Sequence, residues 1–170
     1  MDVPVFLLRS GVAFALLAVS SPAAAQVKSF TVEVDGLSCP FSAFSLERRL
    51  TTLPGVAAVR FDFRRSSVTL NLAEDVSIAP DLVTDAVGEL DMRVRSLMLE
   101  GRGSIRGRGE DLRIALGNRL VVWIGQGEAR AQLNALVAQG KRDFQVAGSL
   151  TRVQDRLVLA VTQVSEIREE

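Results

Sequence analysis

The chain has 170 residues with 20 basic and 20 acidic side chains, a formal net charge of zero, no histidine and one cysteine. The single cysteine excludes a disulfide-stapled fold, and the missing histidine excludes a Ser-His-Asp or Cys-His catalytic arrangement and any imidazole metal site. The zero charge hides a split: residues 26–100 carry 8 basic and 11 acidic side chains, whereas residues 101–170 carry 11 basic and 8 acidic.

In chain order, residues 1–25 have the layout of a secretory signal. Arg9 lies in a short leading stretch, an apolar run follows from Gly11 to Val19, and Ala23 and Ala25 suit a signal peptidase, which predicts cleavage before Gln26. The alternative is an uncleaved anchor, but the apolar run falls well short of the roughly 20 residues that span a bilayer. A periplasmic or secreted protein is therefore expected, with no stable membrane span after cleavage.

From Lys28 to Asp35, Phe30, Val32 and Val34 alternate with Thr31, Glu33 and Asp35, the pattern of a half-buried strand. Gly36-Leu37-Ser38 reads as a loop. Pro40 suits the first position of a helix, where its missing N–H costs nothing; Ala43, Leu46, Leu50 and Leu53 follow at helical spacing and Pro54-Gly55 ends the run. Val59–Phe63 and Val68–Leu72 read as strands around the polar turn 64–67. Pro80 opens a second helix with Leu82, Val83, Ala86, Val87 and Leu90 on one stripe, and a last strand is expected from about Met92 to Leu99. The order βαββαβ over residues 28–99 predicts a ferredoxin-like domain.

The Gly-rich run from Gly101 to Gly109 marks the expected boundary with a second domain, residues 101–170. As a strand, it places Arg102, Ser104, Arg106 and Arg108 on one face, either a basic edge for an acidic partner or anionic lipid, or a solvated strand with room to bend. Leu112–Leu116 and Leu120–Ile124 form strands around Gly117-Asn118, Glu128–Gln139 an amphipathic helix stopped by Gly140, and Phe144–Leu150 and Leu157–Val164 a closing hairpin through Gln154-Asp155. Trp123 is expected in the core. The order βββαββ predicts a small OB-like β-barrel, so the fold class is α+β. Nucleic acid is not an expected partner, because few aromatic side chains are available for stacking.

The segment Gly36-Leu37-Ser38-Cys39-Pro40-Phe41-Ser42, with Leu46-Glu47 and Leu53-Pro54-Gly55-Val56 downstream, resembles the heavy-metal-associated family of copper-chaperone and mercury-binding domains. The family pattern is Gly-Met-Thr/Ser-Cys-x-x-Cys between the first strand and first helix, and the likeness extends over residues 28–99. It implies that Cys39 is a soft-metal ligand for Cu(I), Hg(II) or another soft ion, its thiolate favoured by the helix start. Ser42 stands where the family has its second cysteine, and Leu37 where it has methionine. A hydroxyl is a hard ligand, so a second sulfur must then come from another copy of the chain, as in a homodimer, or from a thiol-bearing partner.

Two further readings of Cys39 stay open: a redox thiol, or an incidental residue in an envelope interaction protein. Met92 and Met98 are other soft donors in the domain, read first as core fillers, and Asp35 is a solvated charge at the strand end. No catalytic constellation or phosphate-cradling loop is visible, so a non-enzyme is expected.

Overall fold

In a computed structural model of the chain, the described residues are 26–37, 40–74, 76–117 and 120–167. The expected export signal, residues 1–25, lies outside them.

Strand β1 (Gln26–Asp35) buries Phe30, Val32 and Val34 and turns Thr31 and Glu33 to the other face. Helix α1 (Pro40–Leu50) packs Ala43, Leu46 and Leu50 against that apolar face. The chain then enters β2 (Val56–Asp62) through Gly55 at φ +83°, where a Cβ would sit 2.0 Å from Val76 Cγ1. Only glycine meets both conditions. Strand β2 starts and ends earlier than its alternation suggests, leaving Phe63 outside it, 54% exposed and stacked on Phe61 at 6.0 Å. The turn is set by Asp62, whose Oδ1 accepts from the Arg64 and Arg65 amides at 3.0 and 3.3 Å.

Strand β3 (Ser67–Leu72) returns beside β1, and α2 (Pro80–Gly88), opened by Pro80, buries Val83, Ala86 and Val87. The four strands order as β2-β3-β1-β4, all antiparallel, with the helices on one face: the expected βαββαβ arrangement. At the helix ends, Arg49 of α1 grips Glu89 after α2, Nη2 donating to Oε1 at 2.9 Å. The hydrogen bond from Arg49 holds the Glu89 carboxyl below the usual value and raises the guanidinium, partly opposed by desolvation.

The main departure from the sequence expectation is β4. The strand expected to end near Leu99 and the one expected to begin at Gly101 are one element, Arg93–Arg106. The boundary expected between residues 100 and 101 thus falls inside a strand. One edge of β4 carries β1 along residues 93–102 and then β5 (Arg113–Leu116) along 104–106, end to end; the opposite edge carries β7 (Asp143–Val153) along 98–104. Strand β6 (Leu120–Ile124) pairs with β5 and runs parallel to β8 (Arg156–Glu166), which pairs with β7. The circuit β4-β5-β6-β8-β7-β4 closes a five-stranded barrel, with α3 (Glu128–Ala138) between β6 and β7 burying Leu133 and Val137. The barrel's Ile105, Ile114, Val122, Phe144 and Leu159, the open sheet's Phe30 and Leu70, and Leu46 of α1 belong to one continuous core.

Two glycines permit the shared strand. A Cβ on Gly101 would lie 2.9 Å from the Gln26 carbonyl oxygen, and one on Gly103 would lie 2.2 Å from that of Ala115. Such distances leave no room for a side chain, so β4 coils from the open sheet into the barrel only with glycine there.

Gly103→Ala is expected to cost about 3 kcal/mol of stability through the clash with the β5 backbone, measured by urea denaturation; an unchanged midpoint would contradict this close approach. Glu89→Gln tests the interhelical ion pair. A depressed carboxylate contributes stability in full above the ordinary value of 4.5 and loses it as pH falls through the lowered folded value. Denaturation curves of the two proteins should therefore differ slightly at neutral pH and converge in acid.

Candidate metal-binding loop

The loop of interest joins β1 to α1. Cys39, with Ser38, lies outside the described residues, so the site is built from its two flanks. On the strand side, Asp35 pairs in register with Arg93, and its carboxylate takes an ion pair from Arg95 Nε at 2.8 Å. Asp35 is thus neutralised by the neighbouring strand. Gly36 follows at φ +93°, turning the chain away from the end of β1. Leu37, where the related pattern has methionine, is buried at 2% exposure and ties the loop to the core.

On the helix side, the first turn of α1 holds Pro40, Phe41 and Ser42, with no acidic residue among them, and the basic Arg48 and Arg49 lie in its last turn. The positive end of the helix dipole next to Cys39 in sequence is therefore not offset by a carboxylate of that turn, the condition under which a thiolate is favoured. Ser42 is half-buried. Phe41 and Phe44 are 79% and 62% exposed, an apolar surface beside the loop on a helix whose opposite side is fully packed.

The two methionines separate. Met92 packs at the edge of the core, its Cγ 3.9 Å from the position a Cβ would take on Gly36. Met98 projects from the helix-free face of the sheet, opposite Thr31 and Ser149, and is 38% exposed. It belongs to a different surface. Among the described residues, no three Cys, Asp or Glu side chains converge in a way that would hold a metal ion.

The helix-free face carries a feature that the linear pattern did not disclose. Ser29, Thr31, Ser67 and Thr69 form the floor of a polar groove of about 380 Å³, walled by Arg65, Glu100 and, from the barrel hairpin, Ala147, Thr162 and Gln163. The Thr31 and Thr69 hydroxyls bond across the strands at 3.0 Å, and Glu100 is held by Lys28 at 2.8 Å and Gln145 at 3.1 Å. Alternation in β1 and β3 signals a polar face, but only the folding back of β7 and β8 makes it concave.

No family model matches the chain, and no curated protein matches it. Among solved structures, it is similar to a CopZ metallochaperone, at 20% identity and a TM-score of 0.36, over 39% of this chain and 97% of that one. The N-terminal domain of PacS from Synechocystis PCC6803 aligns at 24% identity and a TM-score of 0.35, over 40% of this chain and 94% of that domain. A heavy metal binding protein from Thermotoga maritima, TM0320, aligns at 19% identity and a TM-score of 0.34, over 41% of this chain and 94% of its own.

The anchoring role of Leu37 is testable without reference to metal. Leu37→Ala should destabilise the protein by about 2–5 kcal/mol, as for other buried leucines, while Leu37→Met should cost less than about 1.5 kcal/mol. Equal thermal midpoints for the alanine variant and the parent would show that the loop is not tied down at this residue.

Proposed function

We propose that this protein is an exported, non-enzymatic accessory that binds or delivers a soft metal ion through Cys39. The observation that carries the reading is that Gly36 and buried Leu37 leave the end of β1 while Pro40, Phe41 and Ser42 open α1, on an antiparallel four-stranded sheet. A thiolate ahead of a helix start with no acidic residue in its first turn is a competent ligand for Cu(I) or Hg(II).

One protein sulfur holds such an ion weakly, and Ser42 adds only a hard oxygen. The second sulfur is assigned to another copy of the chain or to a thiol-bearing partner. Exposed Phe41 and Phe44 support this, because a protein surface that brings a thiolate to Cys39 would cover them. The same pair of aromatics also favours a second reading, an envelope interaction protein in which the thiol is incidental. The barrel's strand order, with α3 between its third and fourth strands, supports reading it as an OB-like module. Residues 1–25 are read as the cleaved export signal. Among the described residues, no helix is long and apolar enough to cross a membrane.

Titration of the reduced protein with Cu(I) against a chromophoric chelator should give one metal per two chains, and Cys39→Ser should abolish uptake. Ser42→Cys should convert the stoichiometry to one metal per chain and tighten binding, since both thiolates then come from one loop. No uptake by the reduced protein, or uptake unchanged in Cys39→Ser, would remove metal handling and leave the interaction reading.

A further inference from the structure

The barrel carries an unneutralised cationic surface at the end of β4 away from the Cys39 loop. Alternation places Arg106, Arg113 and Trp123 in one outward row, Arg106 opposite Arg113 and Arg113 opposite Trp123. Two guanidiniums lie over the indole, Arg113 at 4.9 Å and Arg156 at 4.4 Å from the ring centroid.

Each cation–π contact is weakly attractive at such a site. Against this, two like charges directly opposite across a strand pair repel, and Arg113 Nε is shielded from solvent with no hydrogen-bond partner. None of Arg106, Arg113 and Arg156 forms an ion pair with a carboxylate among the described residues, whereas Arg49, Arg65, Arg95 and Arg152 each do. A concentration of positive charge that the fold leaves uncompensated is complementary to an anion from outside.

The neighbouring residues narrow the choice of anion. Val121, two residues before Trp123 on the same face of β6, is 47% exposed, and Val153, paired with Arg156 across the β7–β8 hairpin, is 54% exposed. The surface therefore alternates guanidinium with apolar contact. Arginine forks match carboxylates in bidentate geometry, and the valines match aliphatic side chains. With guanidiniums over the ring, Trp123 orients the cations and is not open for stacking by a ligand.

We infer that the face formed by Arg106, Arg113, Trp123 and Arg156 docks an acidic, partly aliphatic peptide segment of a partner protein. The inference is independent of metal binding at Cys39.

Trp123 is the only tryptophan in the chain and so reports on its own site. The purified protein is titrated, by tryptophan fluorescence and by calorimetry, with the peptide Glu-Glu-Leu-Glu-Glu-Leu, its Lys-for-Glu counterpart, inorganic phosphate and phosphatidylglycerol vesicles. The acidic peptide should change Trp123 emission saturably, with affinity falling as salt is raised, and the basic peptide should not. Arg113→Gln combined with Arg156→Gln should weaken binding at least about tenfold by removing charge-assisted contacts, while Arg48→Gln combined with Arg93→Gln should leave it unchanged. If Arg113→Gln unfolds the barrel by circular dichroism, Arg106→Gln with Arg156→Gln, both at exposed positions, is used instead and should show the same loss. Absence of peptide binding, equal binding of the basic peptide, equal loss in the Arg48/Arg93 variant, or tight binding of phosphate or vesicles without peptide would each overturn the inference.

Discussion

The architecture depends on one strand serving two sheets. Over residues 97–106, β4 alternates without interruption: Leu97, Leu99, Gly101, Gly103 and Ile105 point inward, and Met98, Glu100, Arg102, Ser104 and Arg106 point outward. At the middle of the inward set the partner backbones of β1 and β5 come too close for any side chain. Glycine removes that obstacle at the price of chain entropy and of two residues' worth of apolar burial. The loss is offset by continuity, because the strand's hydrogen-bonding edges stay occupied while it passes from sheet to barrel. No unpaired edge is left at the junction.

A shared strand makes a shared core. Side chains from the helical layer and the barrel interior form a single cluster, so local loosening in one half exposes apolar surface of the other. Ion pairs add surface ties between the halves: Lys28 to Glu100 at the junction and Arg152 of β7 to Asp81 of α2. Exposed pairs of this type contribute on the order of 0–1 kcal/mol each. They add little, and the buried cluster carries the stability.

Much of this was legible in the linear pattern, and the misreadings have physical causes. Elements whose apolar residues recur at a clean period of two or near 3.6, such as β1, α1, β3, α2 and the β5–β6 hairpin, appear within a few residues of expectation. The linear pattern splits β4 into two strands because glycine at two inward positions erases the hydrophobic signal where the strand continues. Trp123 was expected in the core, but its register opposite Arg113 places it on the outer face, where it is only half-buried beneath two guanidiniums. Neither the polar groove nor the place of Arg156 over Trp123 follows from periodicity, because both require strands that closure brings together from distant parts of the chain. Cys39 lies outside the described residues, and its flanks show the expected strand end and helix start, with Leu37 buried.

β4 also relates the two surfaces of functional interest. The loop holding Cys39 leaves β1 where Asp35 pairs with Arg93, at the first residue of β4, and the arginine face includes Arg106, its last. Thirteen strand steps separate these ends by at most about 43 Å, less as the strand coils. Because the strand is paired along its length and its inward side chains lie in one core, this separation is rigid, unlike the variable span of two domains on a linker. A partner held by its acidic segment at one end would thus have a defined reach toward the loop at the other. Were Cys39 to bind a soft metal as proposed, one thiolate alone would hold it weakly, and such an arrangement would let effective concentration, set by geometry, supply a second ligand from the partner.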